Sequence, residues 1–303
     1  MKLVTIDDIR AAADRIKAVA VRTPLVRMGE AWVKPESLQP IGAFKIRGAY
    51  NAVASLRPDG VVTHSSGNHG QALAYAAKEL GVPCVVVVPE GASKVKLAAI
   101  EGWGAETVIV PPEEREIVAD KLARDRGLTL VPPYDHPIVI AGQGTVGLEI
   151  VEDLPDVEVV LVPVGGGGLA SGVGTAIKAL RPEVKVIGVE PELAADAAES
   201  LAAGHPVEWG SARTFRTIAD GLRTGLSELT YAHLSRRLDG IVTVSEDEIK
   251  AAMGHLARSA RLVAEPSGAV TTAALLSGRA PAGRTVVVLS GGNVDPELLR
   301  QVI

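Results

Sequence analysis

Short apolar runs recur along this chain with amphipathic or alanine-rich stretches between them, the alternation expected of parallel strands joined by crossover helices. A first series of strand candidates falls at 61 to 64, 84 to 88, 107 to 110 and 128 to 131. A second falls at 157 to 164, 184 to 189, 241 to 245 and 285 to 289. Runs such as VEVVLVPV and RTVVVLS are apolar on both sides of the pleat, as strands covered on both faces must be. The pattern predicts an α/β protein with two parallel-sheet lobes and a ligand wedged between them. The segment PPYDHP at 132 to 137 can continue neither helix nor strand, because proline lacks the backbone donor, so it reads as the crossover between lobes.

The turns that follow these strands carry the chemistry. In VVTHSSGNHGQALAYAAKELGVPCVVVV a strand ends in Ser65, Ser66, Gly67, Asn68, His69 and Gly70 before a helical stretch. Open α/β sheets bind ligands just outside the carboxyl ends of their strands, where this turn falls. The plainer alternative is that Ser65 or Ser66 caps a helix beginning near Gly70. In VEVVLVPVGGGGLASGVGTAIKAL a strand runs into Gly165, Gly166, Gly167 and Gly168 and then a helix. Glycines let the backbone approach an anion, and the amides of the following helix N-terminus donate to it, so this is a candidate phosphate cradle. No Gly-Lys-Ser/Thr follows, as a nucleotide P-loop requires, and the unspaced glycines fit a dinucleotide fingerprint poorly, although Glu190 ends the next strand. A third strand delivers Ser290, Gly291, Gly292 and Asn293. Finally, GAFKIRGAYN places Lys45 behind Phe44 at the start of an expected helix. A lysine amine forms an imine with a carbonyl cofactor and serves as a proton carrier when a sheltered site lowers its pKa; in the open it is only a solvated charge.

Composition narrows the classes. With 303 residues and 47% hydrophobic content, two lobes with sizeable cores are expected. Thirty-one basic residues against 36 acidic ones leave a net charge of −5, and aromatics make up 3%, so there is no electrostatic or stacking case for nucleic acid. The apolar runs are strand-length and no charged-then-apolar leader opens the chain, so neither a membrane span nor secretion is expected and a cytoplasmic protein is. The single cysteine, Cys84 in VPCVVVV, excludes an internal disulfide and reads as a small buried residue. The six histidines show no paired zinc spacing.

In order along the chain, GAFKIRGAYNAV, SSGNHGQA, PPYDHPIVIAGQGT, GGGGLASG, GVEPE, TIADGL, AEPSGA and SGGNVD resemble the fold-type II pyridoxal-phosphate enzymes, in the serine/threonine dehydratase and serine racemase branch. The resemblance covers nearly the whole chain. It implies a large lobe of residues 1–59 and 136–303 and a small lobe of 60–135. It also implies a homodimer, and β-elimination of L-threonine, L-serine or a related β-hydroxy amino acid to a 2-oxo acid and ammonia. Serine racemisation or threo-3-hydroxyaspartate dehydration are the same-class alternatives. A non-catalytic amino-acid-sensing or nucleotide-binding module is the rival from another class; it would keep the glycine loops but have no use for Lys45 with Ser290.

Residue by residue, the resemblance implies that Lys45 anchors pyridoxal phosphate as an imine and then removes the substrate Cα proton. Phe44 would pack against the ring, Asn68 would bond its phenolic oxygen, Gly165 to Gly168 and Leu169 would hold its phosphate, and Ser290 would face the pyridine nitrogen. A neutral hydroxyl there makes the ring a weaker electron sink than a carboxylate would, which suits elimination. The substrate carboxylate would lie in the turn of Ser65, Ser66, Gly67, Asn68 and His69, with Ser66 opposite the lysine as an acid or base for racemisation. Arg115 matches a substrate-facing arginine, with a solvated helix arginine as the alternative. Glu190, Ala194 and Asp196 match a Mg²⁺, Mn²⁺ or Ca²⁺ site of two carboxylates and a backbone carbonyl. Pro40 and Ile41 depart from the polar pair of the ATP-stimulated racemases, so nucleotide activation is not expected.

Overall fold

The computed structural model describes residues 2–65, 67–92 and 94–303. In chain order the strands are β1 (Val26–Met28), β2 (Ala31–Pro35), β3 (Val61–His64), β4 (Cys84–Pro89), β5 (Glu106–Val110), β6 (Thr129–Leu130), β7 (Val159–Pro163), β8 (Lys185–Pro191), β9 (Gly240–Val244) and β10 (Thr285–Leu289). The helices through the middle of the chain are α1 (Ile6–Ile16), α2 (Lys45–Leu56), α3 (Asn68–Leu80), α4 (Lys94–Glu101), α5 (Arg115–Arg126), α6 (Pro137–Asp153) and α7 (Gly168–Leu180). After them come α8 (Asp196–Ala203), α9 (Ser211–Thr214), α10 (Glu228–Arg237), α11 (Glu246–His255), α12 (Pro266–Leu276) and α13 (Pro296–Val302).

Two sheets form, as the apolar pattern predicts. One has four parallel strands in the order β5-β4-β3-β6; the other has six in the order β1-β2-β10-β7-β8-β9, parallel except for the β1–β2 pair. The six-stranded sheet is covered on both faces. Ile249, Met253, Ala269 and Val270 of α11 and α12 pack on one side, and Val146, Ile150, Val173 and Ile177 of α6 and α7 on the other. Covering both faces removes the selection for polar alternation, which is why its inner strands read as continuous apolar runs. Helix α2 is shared between lobes: Ile46, Ala49, Ala52 and Val53 join Val61, Leu73 and Val86 in one core beside the smaller sheet. Cys84 is buried in β4, and burial pushes its thiol up to about 12, as suits an inert core residue. Among the described residues no helix is long and apolar enough to cross a membrane.

Three sequence expectations need correction. The β1–β2 hairpin is missing from the apolar pattern, because Lys34 interrupts it; that lysine is fully buried and donates to the Thr23 carbonyl and the Glu149 carboxylate at 2.6 Å each. Helix α3 begins at Asn68 rather than near Gly70, with Gly67 as a cap residue that offers no side chain. The Ser65 hydroxyl accepts from the Gly67 amide at 3.3 Å inside the turn, so Ser65 is not the helix cap. The PPYDHP crossover does run without regular structure until Pro137 opens α6, whose N-cap is the His136 ring accepting from the Ile138 amide.

Candidate active site

The turns after β3, β7 and β10 lie at carboxyl ends of parallel strands, where unpaired backbone amides and helix N-termini collect. The segment before Lys45 is stitched to the turn after β10. The Phe44 amide donates to the Ser290 carbonyl at 3.0 Å, the Gly292 amide to the Gly42 carbonyl at 2.9 Å, and Asn293 Nδ2 to the Ile41 carbonyl at 2.9 Å. A side chain at Gly42, where φ is +71°, would collide with Asn293, so glycine is required there. This pairing sets the start of α2, and Lys45 as its first residue, beside Ser290.

Lys45 is partly buried, and its Nζ donates to the Pro133 carbonyl at 2.7 Å and lies 5.1 Å from the centre of the Phe44 ring. Burial lowers its pKa from 10.5 to about 8, against the Glu265 carboxylate, which raises it. The amine therefore offers a far larger neutral, nucleophilic fraction near physiological pH than a solvated lysine does.

Asn68, first residue of α3, is held on both sides of its amide. Its Nδ2 donates to Glu265 Oε1 at 2.7 Å, and its Oδ1 accepts from Asn293 Nδ2 at 2.7 Å. Three distant segments thus fix one side chain, leaving its second N–H available. His69 is buried, and its Nε2 lies 2.9 Å from the Val131 carbonyl; since a carbonyl only accepts, Nε2 carries the proton and Nδ1, buried without a partner, is a bare acceptor. Burial first, and the nearby Lys45 charge second, depress its pKa to about 3, so the ring is neutral. Ser290 is buried, and its hydroxyl makes only a long 3.5 Å contact with the Ser267 carbonyl.

The glycine loop is packed so closely that side chains do not fit. A Cβ on Gly165 would stand 2.8 Å from Leu222 Cα, and one on Gly166 2.5 Å from the Tyr134 ring. Gly167 holds φ at +84°, the left-handed conformation glycine adopts without strain. Helix α7 begins at Gly168 with no side-chain cap, so its first amides, followed by buried Leu169, remain available to an anion.

Glu190, next to last in β8, accepts from the Ala197 and Ala198 amides at 3.0 and 2.8 Å, capping α8 from outside. Asp196, first residue of α8, is 2% exposed, and its Oδ2 has no hydrogen-bond partner. Ala194 lies in the single turn of 3₁₀ helix, Glu192–Ala194, that joins them. Burial raises Glu190 to about 8 and also raises Asp196. Among the described residues there is no group of three or more His, Cys, Asp and Glu side chains able to hold a metal, so a cation here would depend on two carboxylates and a carbonyl. Arg115 opens α5, and its Nε donates to the Pro112 carbonyl of its own turn at 2.9 Å. Its charge is felt by His64, at the end of β3, but among the described residues no hydrogen bond joins it to Ser65, Gly67, Asn68 or His69. Ser66 lies outside the described residues.

Two residues of the cleft were missed in the sequence. Glu265 stands before Pro266 at the start of α12, where an acidic residue is an ordinary cap, and nothing local shows that it meets Asn68 and Lys45. Tyr134, read only as part of the crossover, packs on the glycine loop, and burial pushes its phenol up to about 12.

Comparison with known proteins agrees with this geometry. The family model described as pyridoxal-phosphate dependent enzyme matches residues 16–291. The chain is 42% identical to L-threo-3-hydroxyaspartate ammonia-lyase of Saccharomyces cerevisiae, covering 96% of this chain and 94% of the relative. It is 40% identical to serine racemase of Dictyostelium discoideum, covering 100% and 99% respectively. A solved structure of threonine deaminase from T.th. superposes with a TM-score of 0.92 at 43% identity, covering 96% of this chain and 99% of that one.

Proposed function

We propose a function from one premise: the chain belongs to the pyridoxal-phosphate-dependent enzymes of fold type II, in the serine/threonine dehydratase and serine racemase family, and is an enzyme of that kind. Its reaction is the β-elimination of L-threonine, L-serine or a related β-hydroxy amino acid to a 2-oxo acid and ammonia. The observation that carries this reading is Lys45, an amine lowered to about 8 and held at the Pro133 carbonyl beside Asn68, Glu265 and Ser290. A sensing module would have no use for such a group.

The residues present fit the cofactor: a desolvated amine, an uncapped helix N-terminus behind four glycines, and a buried hydroxyl with one weak contact. When bound, pyridoxal phosphate supplies the electron-withdrawing ring that makes the substrate Cα proton removable. Lys45 Nζ holds the cofactor and, once freed, takes that proton; an amine titrating near 8 is matched to this work. The amides of Gly165 to Leu169 would hold the phosphate, Ser290 would serve the ring nitrogen, and Asn68 would donate to the phenolic oxygen. Phe44, beside the amine, closes the wall behind the ring. The turn of Ser65, Ser66, Gly67, Asn68 and His69 receives the substrate carboxylate, and Arg115 faces the substrate, with a solvated helix arginine as the alternative. In this reading residues 1–59 and 136–303 form the large lobe and 60–135 the small one, and the protein acts as a homodimer in the cytoplasm.

A divalent cation at Glu190, Asp196 and the Ala194 carbonyl is part of the same proposal. The support is Asp196 Oδ2, a buried carboxylate oxygen without a donor, next to a second carboxyl kept from ionising by burial. Racemisation through Ser66 is the second reading, favoured by the likeness to a serine racemase.

The purified protein should be yellow, borohydride should fix the cofactor to Lys45, and a panel of β-hydroxy amino acids should release 2-oxo acid. Lys45→Ala should abolish that release while the fold and some noncovalent cofactor binding survive. Near-normal turnover by this variant would remove Lys45 from the centre of the reaction.

A further inference from the structure

Helix α2 carries the reacting amine at its first residue yet lacks a local cap. Its N-cap residue is Phe44, which has no side-chain acceptor, and its first turn contains no acidic residue. The first turn of a helix leaves amide groups unpaired, and an uncapped end frays. A further acceptor reaches this end of α2 from another helix: Gln143 of α6, fully buried, accepts through Oε1 at 3.2 Å from the amide of Gly48, the residue that closes the first turn. The two helices touch backbone to backbone at this point, since a Cβ on Gly142 would stand 2.6 Å from both the Arg47 carbonyl oxygen and Gly48 Cα. The Gln143 Nε2 has no partner. A half-satisfied amide in a dry core is unfavourable by itself, so packing alone does not account for it, and the bond to Gly48 is what the site gains.

One residue earlier, Arg47 ties the same turn to the same helix, α6, and to Glu36. Its guanidinium donates to Glu36 at 2.7 and 2.9 Å, to Glu149 at 2.6 and 2.8 Å and to Thr145 at 3.0 Å, and Lys34 joins Glu149. Two cations and two carboxylates, nearly all out of solvent, balance one another. Lys45 and Arg47 are about 200° apart around the helix, so the face anchored in the large lobe is the one away from the cleft.

We propose that Gln143, with the buried ion cluster around Arg47, is a positioning residue for Lys45: from α6 it pins the Gly48 amide at the end of the first turn of α2 and so fixes the amine that this turn carries. The inference rests on the reading of Lys45 as the reacting amine. With that bond removed, the first turn loosens, the amine gains water, and its pKa moves back up from about 8 toward 10.5. Cofactor is still bound, because the glycine loop is untouched, but the base is misplaced.

Three proteins test this: wild type, Gln143→Met, which keeps the length and loses the oxygen acceptor, and Gln143→Glu, which keeps an oxygen on the same stem. In cofactor-free protein, the pH dependence of Lys45 acylation, followed by peptide mass spectrometry, reports the amine directly. Gln143→Met should raise its midpoint and, in the loaded enzyme, lower kcat by roughly tenfold with KM within about twofold, as misplacement of a reacting group does. Gln143→Glu should stay near wild type in both. A Gln143→Met protein with unchanged midpoint and kcat overturns the proposal, and so does a Gln143→Glu protein as impaired as Gln143→Met, because space rather than the acceptor would then matter. If Gln143→Met does not fold, Arg47→Lys, which keeps the charge and loses the fork, must show the same rise in midpoint or the proposal falls. Failure of the underlying reading looks different: wild type itself would take up no cofactor at Lys45.

Discussion

Lys45 sits between opposed influences, and their balance decides whether it can act. Burial disfavours its ammonium form, while the Glu265 carboxylate favours it. Removing that charge with Glu265→Gln should therefore lower the amine midpoint further below about 8 in cofactor-free protein, measured by the same acylation profile. A midpoint that rises or stays put would show that Glu265 does not face the amine as the geometry indicates. Glutamine can still accept from Asn68, so the fold should be kept. The other informative side chain is Ser66. Elimination from an L-substrate needs proton removal on the Lys45 face only, whereas a D-amino acid needs an acid or base on the opposite face, the role the family resemblance gives Ser66. Ser66→Ala should suppress D-serine formation by about a hundredfold or more while L-substrate dehydration persists at a reduced rate, read by chiral chromatography beside a 2-oxo acid assay. Free racemisation by the variant would leave Ser66 without this role. Asn293 was legible as part of the turn after β10 but not its bond to Asn68, and Glu265 is an ordinary acidic residue until the fold brings it there.

At the scale of elements, the helices around the cleft are capped in unequal ways. Helices α1, α10 and α11 carry capping boxes from their own sequence, Thr5 with Asp8, Ser227 with Thr230 and Ser245 with Glu248. Helices α3 and α7 have glycine N-caps, Gly67 and Gly167, which give their first amides no side-chain acceptor. Helix α8 is capped by Glu190 from the preceding strand, and this makes its start sensitive to pH. The folded pKa of Glu190 is raised from 4.5 to about 8, so its stabilising contribution is complete below 4.5 and is lost as pH rises through about 8. The melting temperature of metal-free protein should fall from about pH 4.5 to about pH 8 and level off above that, and Mg²⁺, Mn²⁺ or Ca²⁺ should flatten the fall by pairing the ionised carboxylates. Superimposable melting curves with excess chelator and with added cation, across that range, would remove the metal from Glu190 and Asp196.

For the whole molecule, the cleft exists because α2 belongs to both lobes. One face of this helix is buried with the core of the smaller sheet, and the other is locked by Arg47 and Gln143 to α6 and the larger sheet. By itself the sequence determined the class of fold, eight of the ten strands to within a few residues, and the glycine and polar turns at their carboxyl ends. Hydrophobic period and turn chemistry are local properties, and the cofactor motifs are short runs whose meaning survives without neighbours. What it left open was decided by contacts between distant segments. Lys34 interrupts an apolar run and hides β2 until Glu149 and the Thr23 carbonyl satisfy it. Glu265 is a plain cap residue until Asn68 and Lys45 arrive, and Gln143 an unremarked helix residue until it meets Gly48. A buried charge or amide is tolerated only through partners far away in the chain, so its position and purpose belong to the tertiary structure.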